Sequence, residues 1–406
     1  MVSQTGEVIR LRPPRFSDFQ DWRRIRLRDR ALIEPFWASS SLSWEERHTQ
    51  EHWVRECLHL RSSRRSLGFV IEVDGCFAGQ IGLSGIDPVS RSAEMSIWMD
   101  STAGGRVIGH IAGSMLMDHA FTVLGLHRIT APICVDNLAA ARGADRIGFV
   151  REAIMKSSFA AGGRRKDHIL FAMTADRVPD EGLAARWSDP TVPVVHTRQS
   201  VGRGLSPRCL VAGCRFVLGT TKRLARGRAA LQVAPVTLGG LFLRPVRDLP
   251  RPPGRHGRRA GECLLEGAWQ PTSPWAGWSG HAFGYHVEKD GAHLGTVGFG
   301  PLDLVRHDAT MRVDAIGGHS HRALLPAAEW VLGRAFDVLG IERVQTGVDS
   351  CNAAAADFAR ELGLSREGRM HGITTRDRRL RDLDLWAAVA GSASVNDPQM
   401  HDRVST

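Results

Sequence analysis

The run Gly104-Gly105-Arg106-Val107-Ile108-Gly109 sets three glycines and a fixed cation directly ahead of an apolar helical pattern. A loop of this kind between a strand and a helix offers successive backbone N–H groups, and the positive end of the helix dipole, to an anion such as a pyrophosphate. Glycines let the backbone approach the ligand closely, and Arg106 adds a permanent charge. The run is neither GxGxxG nor a Walker A loop, since no Gly-Lys-Ser/Thr follows. On its residues alone, a Gly-rich turn that holds no ligand stays open. The 17 histidines include no HExxH and the seven cysteines (57, 76, 134, 209, 214, 263, 351) no CxxC, so a metal site is not expected. An odd cysteine count in a long chain reads as reduced, mostly buried thiols of a cytoplasmic protein.

The elements that must position this loop occur twice. His119–Met155 and Arg334–Met370 align without a gap: Phe121 and Phe336, Arg128 and Arg343, Asn137 and Asn352, Gly148 and Gly363, Asp167 and Asp382 are all 215 apart. Glu72–Gly82 matches Glu288–Gly298 at an offset of 216, and Leu11–Arg15 is echoed at Leu243–Arg247. One offset kept over so many positions marks a duplicated domain. In the first copy a strand at Val8–Arg12 precedes helical segments near Asp18–Leu27 and Trp44–Leu60. The second of these opens on a Ser43/Glu46 capping box. Strands Gly68–Val73 and Cys76–Ser84 join at an Asp74-Gly75 hairpin turn, and a strand at Ser92–Met99 follows. A helix from about Val107 to Leu124 has its apolar residues at i, i+3, i+4, i+7 and ends at Gly125. Strand His127–Cys134, helix Asn137–Ile147 and strands near Phe149–Ser157 and Asp167–Met173 complete the copy. The order βααβββαβαββ implies an α/β fold, a mixed sheet flanked by helices.

Composition places the boundaries. A Pro/Gly/Ser-rich stretch follows Trp187, and no acidic residue occurs between Asp189 and Asp248. The expected organisation is an N-terminal domain at 1–186, a basic linker at 187–236, a C-terminal domain at 237–392 and a tail at 393–406. Pro207–Leu231 has the pattern of a basic amphipathic helix, either packed on a domain or touching a membrane surface or nucleic acid. The net charge is +10, yet only four of the 53 basic residues are lysine (Lys156, Lys166, Lys222, Lys289). A GC-rich coding bias accounts for much of that, and no nucleic-acid-binding motif accompanies it. No signal-peptide h-region and no stretch long enough to span a bilayer is present, so a cytoplasmic location is expected.

Together these elements, the Arg106-x-x-Gly109 loop and Val135–Phe149 resemble the GNAT acyltransferase superfamily, and within it the ribosomal-protein N-terminal (alanine) acetyltransferase branch. The residues that carry the likeness are Leu11-Arg12-Pro13, Asp118-His119-Ala120-Phe121, Leu124-Gly125-Leu126-His127-Arg128-Ile129, Asn137, Gly148-Phe149 and Arg165-Lys166-Asp167. The likeness covers Glu7–Asp176 strongly and Phe242–Val389 more faintly. It implies two tandem GNAT folds, each a mixed, mostly antiparallel sheet with splayed central strands, and acetyl-CoA as cofactor. The pyrophosphate would lie on Arg106–Ile111 and the pantetheine arm between Ser92–Met99 and His127–Cys134. The implied cofactor-binding residues are Trp98, Met99, Gly104, Gly105, Arg106, Val107, Ile108, Gly109, His110, Ile111, Asn137 and Arg142.

The catalytic residues so implied are Asn137, facing the thioester, and Glu94, drawing a proton from the acceptor amine through a water. Asn137 is also a good helix N-cap in its own right. Two positions depart from the family pattern: Ile111 replaces a small residue, and Ala140 replaces a serine. The one tyrosine, Tyr285, lies in the second copy, so the first must expel its thiolate through a water, Ser157, Ser158 or a backbone N–H, or without any dedicated acid. The second copy has Thr310 in place of Glu94, Leu324 in place of Gly109, and Pro326 two residues on. One working site is therefore expected. The second copy would be a pseudo-subunit that shapes the cleft or stands in for a dimer partner, so that the chain is a monomer. Trp269–Trp278, with three tryptophans, would wall that cleft or pack in a core.

The leading expectation is acetylation of the α-amine of a protein or peptide N-terminus, from a ribosomal protein or a ribosomally made peptide product. A small amine such as an antibiotic or polyamine is the second, with Glu34–Glu46 supplying carboxylates. The third is a non-enzymatic acyl-CoA sensor or nucleic-acid-binding module.

Overall fold

In the computed structural model the chain is described over residues 1–40, 42–103, 107–187, 234–246, 262–265, 281–303, 307–316, 321–374 and 379–391. Gly104, Gly105, Arg106, the Pro207–Leu231 segment, Trp269–Trp278 and the tail lie outside the described residues. The chain divides into two compact units, one holding Met1–Glu152 and the residues from Ser158, the other holding the C-terminal part with Ala153–Ser157.

The first unit opens with β1 (Ile9–Arg12), α1 (Phe19–Arg28), the single turn α2 (Arg30–Ile33) and α3 (Gln50–Ser62). Next come β2 (Ser66–Val73), β3 (Cys76–Asp87) and β4 (Ser92–Met99). It continues with α4 (Ile108–Asp118), β5 (Arg128–Cys134), α5 (Leu138–Ile147), β6 (Val150–Ala161) and β7 (Arg164–Thr174). The sheet order is β1-β2-β3-β4-β5-β7-β6. Local chemistry explains the joints. Asp74 and Gly75 both have positive φ (49° and 84°), as the tight β2–β3 turn requires. Leu124 N–H bonds His119 O at 3.1 Å, widening the end of α4 into a π turn before Gly125 at φ 63°. The Ser43/Glu46 box forms reciprocally, but it opens a short 3₁₀ turn at Glu46–His48. The helix proper starts after Thr49, whose side chain accepts the His52 N–H.

β1–β2, β2–β3, β3–β4 and β5–β7 pair antiparallel, but β4 and β5 do not. Those two run parallel and pair only through Ser92↔Arg128, Ala93↔Ile129 and Glu94↔Thr130, then separate. On one face α4 and α5 bury Ile108, Ile111, Ala141 and Ile147 against Ala93, Met95, Ile129 and Phe171. On the other, Trp22, Ile25, Trp44 and Trp53 pack around Trp98. Asp118 accepts the Leu183 and Ala184 N–H groups at 2.7 and 2.9 Å, docking the segment after β7 on α4. Arg128 and Glu152 form a buried two-pronged pair, each side chain 3% exposed.

The second unit contains β8 (Val236–Leu238), β9 (Leu241–Val246), β10 (Glu262–Leu265), β11 (His281–Lys289), β12 (Ala292–Asp303) and β13 (Asp308–Ala315). α6 (Leu325–Asp337), β14 (Arg343–Asp349), α7 (Ala353–Glu361), β15 (Ser365–Thr374) and β16 (Leu380–Val389) follow. Its strands run β15-β16-β14-β13-β12-β11-β9-β8, with β10 on β13. β13 and β14 are parallel over three pairs ending at Thr310↔Gln345. Arg343 holds Glu367 by two hydrogen bonds, at 2.9 and 2.5 Å. Tyr285 is a core residue, 1% exposed and edge-on to Trp330.

Of the described cysteines, Cys57 and Cys134 are buried and Cys76 and Cys351 exposed, so burial is less general than composition suggests. Among the described residues no helix is long and apolar enough to cross a membrane, and no cluster of three metal-ligating side chains occurs.

Breaking the Arg128–Glu152 pair from one side strands a buried charge. Arg128→Met should cost about 3–5 kcal/mol in chemical denaturation, and a second change, Glu152→Leu, should recover most of it.

Candidate active site

The α4 N-terminus sits where the sequence places an anion cradle. No side chain caps it, and its first i→i−4 bond runs from Ile111 N–H to Val107 O at 3.0 Å. Among the described residues, the N–H groups of Ile108, Gly109 and His110 have no acceptor. A β-carbon added to Gly109 would meet only Met99 Cγ at 3.8 Å and Ile97 Cδ1 at 3.9 Å, ordinary contacts. Packing among the described residues therefore does not require glycine here.

Below the helix end, the gap between β4 and β5 begins at Glu94. Strand alternation places Glu94, Ser96 and Trp98 on the α1–α3 face, opposite Met95, Ile97 and Met99. Glu94 is buried and occupies the last paired position before the strands part. Past the far end of β5, Asn137 Oδ1 caps α5 by accepting the Ala140 N–H at 3.1 Å. Its amide N–H₂ donates to no described residue.

The other sequence candidates divide by what they touch. Met99 lies against Gly109. Val107 and Arg142 are exposed. Ile111 is fully buried in the core and its N–H is already bonded to Val107, so it offers a phosphate neither side chain nor donor, and its bulk points away from the cradle. Ile108 likewise buries its side chain, leaving only its N–H. His110 stacks on Trp187 at 5.4 Å rather than facing the helix end, and burial, with Arg146, lowers its pKa. Trp98 turns to the α1–α3 face and donates Nε1–H to Gln80 at 3.0 Å, away from the α4 end. Among the proposed proton donors, Ser157 has a left-handed backbone (φ 43°) and Ser158 is buried.

Sequence reasoning missed a polar group inside the α1–α3 face. The Arg26 guanidinium is 3.9 Å from the Trp37 ring centre, 4.8 Å from Trp44 and 5.0 Å from Trp98. Arg26 Nε donates to His48 Nε2 at 3.0 Å, and Trp98 connects through Gln80 to Glu56, whose Oε1 accepts from Gln80 Nε2 at 2.9 Å. Desolvation pulls Arg26 down to about 9, with Glu56 opposing and Arg47 assisting. Burial also lowers His48 to about 4, partly offset by the Trp44 carbonyl. Burial pushes Glu56 up, against the Gln80 hydrogen bond and Arg26. The WRxxR-type spacing on α1 and the tryptophan count were the available signals, but which ring meets which cation is decided by elements far apart in sequence.

Comparison with known proteins bears on this geometry. Residues 9–150 match the acetyltransferase (GNAT) domain family. Over 121 residues the chain is 29% identical to YdaF of Bacillus subtilis, a ribosomal N-acetyltransferase by name, covering 30% of this chain and 64% of the relative. Over 112 residues it is 31% identical to spermidine N(1)-acetyltransferase of Escherichia coli, covering 28% of this chain and 59% of the relative. Among solved structures, RimJ of Mycobacterium smegmatis in complex with CoA-disulfide is 36% identical, with a TM-score of 0.42, covering 44% of this chain and 87% of that one. Residues 9–150 of the chain thus match the acetyltransferase (GNAT) domain family. Enzymes of this family take acetyl-CoA as acyl donor. The uncapped α4 end, the open position over Gly109 and the β4–β5 gap fit that donor.

Two outcomes follow. Gly109→Ala should raise the melting temperature slightly, by about 0.5–1 kcal/mol of helix propensity, while weakening CoA binding in calorimetry. His48 titrates near 4 when folded and near 6.5 when unfolded, so its contribution is complete above pH 6.5 and drains away as pH falls to about 4. That is a loss of about 3 kcal/mol, and His48→Gln should be less stable at pH 7 yet lose less between pH 7 and pH 4.5 in urea titrations.

Proposed function

We propose that the first unit acetylates the α-amine of a peptide or protein N-terminus, using acetyl-CoA. The observation that carries the choice of acceptor is the commitment of the loop carboxylates. Glu34 and Glu45 both pair with Arg30, at 2.5 and 2.8 Å, and Glu46 accepts the Ser43 N–H at 2.8 Å. Arg30 offsets part of the negative charge that a polyamine would need, and Arg26 adds a buried cation on the same face. A singly charged peptide amine suits such a surface better than a polycation.

The donor supplies a thioester carbonyl. Ile108, Gly109 and His110 N–H groups bind its phosphates, with Arg106 as the neighbouring cation, and the β4–β5 gap receives its arm. The acceptor α-amine, with a pKa of about 8, is partly neutral at physiological pH. Glu94, at the vertex of the gap, takes its proton through a water as nitrogen attacks the carbonyl. The C–S bond breaks and sulfur leaves as a thiolate, with a pKa near 8.5, so that no strong acid is needed. Asn137 keeps one amide edge on α5 and turns the other to the arm.

The second unit we infer to be a degenerate copy of the first. What supports this is recurrence at offsets of 215 or 216: the Arg128–Glu152 and Arg343–Glu367 pairs, the Asn137 and Asn352 caps, and a parallel pair that stops after three residues. Its chemistry has lapsed. Thr310 stands at the vertex, and Leu324, 1% exposed, occupies the helix start ahead of Pro326. One chain thus holds one working site and its own pseudo-partner.

Incubation with acetyl-CoA, a panel of peptides and spermidine, read by mass spectrometry, should label peptide α-amines. Preferential labelling of spermidine would reverse the acceptor class. Glu94→Gln should lower kcat by about 10²–10⁴-fold with CoA affinity unchanged. Titration should give one CoA per chain, and two equal sites would overturn the degenerate-copy reading.

A further inference from the structure

The turn Asp100–Ala103 is the last described backbone before the loop into α4, and one residue of α1 grips it. Asp29, at the C-terminal end of α1, is 5% exposed. Its Oδ2 accepts the Ser101 N–H at 2.9 Å and its Oδ1 the Ser101 hydroxyl at 2.8 Å. Arg28 donates to the same two oxygens, Nε at 2.8 Å and Nη2 at 2.7 Å. Arg28 also pairs with Asp100, whose Oδ1 accepts the Thr102 N–H and hydroxyl, each at 2.7 Å. Meanwhile the Asp29 backbone ends α1 and begins α2: its N–H bonds Ile25 O at 2.8 Å, and its carbonyl accepts from Leu32 and Ile33. One residue therefore fixes the start of the acceptor-side loop and the turn before the anion cradle.

We propose that Asp29 is a positioning residue for the acyl donor: through Ser101 it presets the turn from which the N–H groups of Ile108, Gly109 and His110 follow. This rests on the acetyl-CoA reading of that site. The physical argument is preorganisation. N–H groups that follow a turn already anchored lose less freedom on binding phosphates than groups that follow a free one. α1 lies on the sheet face opposite α4, so the described route from Asp29 to the cradle runs through Ser101 and not through packing on α4. The carboxylate is ionised throughout the physiological range, because the Arg28 fork, against the effect of burial and aided by Ser101, holds it down at about 2. Four strong acceptor bonds to two segments follow from that charge.

The test is calorimetric titration of the full-length protein with CoA, alongside KM for acetyl-CoA and for the acceptor. Asp29→Ala should weaken CoA about tenfold, the loss of hydrogen bonds to a charged group. Asp29→Asn, which keeps one oxygen for the Ser101 hydroxyl but cannot accept its N–H, should fall between wild type and Asp29→Ala. KM for the acceptor and kcat at saturating acetyl-CoA should stay within about twofold, a split that general loosening of the fold would not give. Should Asp29→Ala fail to fold by circular dichroism, Ser101→Ala decides, since it leaves the Asp29–Arg28 pair intact and should weaken CoA about threefold. CoA affinity within twofold of wild type in the folded variants, or an equal rise in acceptor KM, overturns the proposal. Wild-type protein that binds no CoA overturns the donor reading itself, a result distinct from wild-type binding that the variants share.

Discussion

The active unit depends on a hydrogen-bond ladder that stops. β4 and β5 are parallel partners for three residues and then diverge, leaving the backbone groups of Met95–Met99 and Ala131–Cys134 without each other. Such edges are tolerable because each strand keeps a full antiparallel partner on its other side: β3 along β4, and β7 along all seven residues of β5. A sheet held this way from both flanks can present an open seam without unravelling. The seam offers N–H and C=O groups that an amide-bearing arm can satisfy as an added strand would. The residues proposed for the chemistry lie at its two ends, with Glu94 at the closed vertex and the α4 N-terminus at the open one.

The second unit keeps the same seam with different residues around it. β13 and β14 also part after three residues, at Thr310↔Gln345. Yet the vertex carries a hydroxyl instead of a carboxylate. A β-carbon on Gly295 would already lie 3.0 Å from Leu324, which shows how tightly the helix start is filled. The architecture persists because the interactions that hold it, such as the buried Arg343–Glu367 pair and the Asn352 cap, are separate from those that bind or react. Selection can drop the second set and keep the first.

This separation also explains what was legible in the residues. Turn and cap chemistry is local, so Asp74-Gly75, Gly125 and Asn137 could be placed from a few neighbours, and the structure has them there. The Ser43/Glu46 box was legible too, but not that Thr49 would restart the helix, because a 3₁₀ turn and a first helical turn share the same capping signal. Side-chain direction was harder. Family likeness put Trp98 and Ile111 at the cofactor, while strand alternation and helix phase send one to Gln80 and the other into the core. The Arg26–His48 contact and the Asp29–Ser101 grip could not be read at all, since they join residues 22 and 72 positions apart whose meeting depends on the tertiary fold.

The arginine excess acquires a structural meaning in this light. Arg12 is buried between Asp18 and Glu72, Arg28 bridges Asp29 and Asp100, and Arg128 and Arg343 each grasp a buried glutamate. Each site uses a planar fork that binds two oxygens or two partners at once, a task for which a lysine ammonium is poorly shaped. Cations held inside by acids contribute little to an outward field, so the +10 balance overstates the charge that these segments show to a nucleic acid. Genome bias can explain why arginine is frequent. It does not explain why these positions face carboxylates in matched geometry, or why Arg26 lies among three tryptophan rings. Those placements tie together helices and strands that lie far apart in the chain.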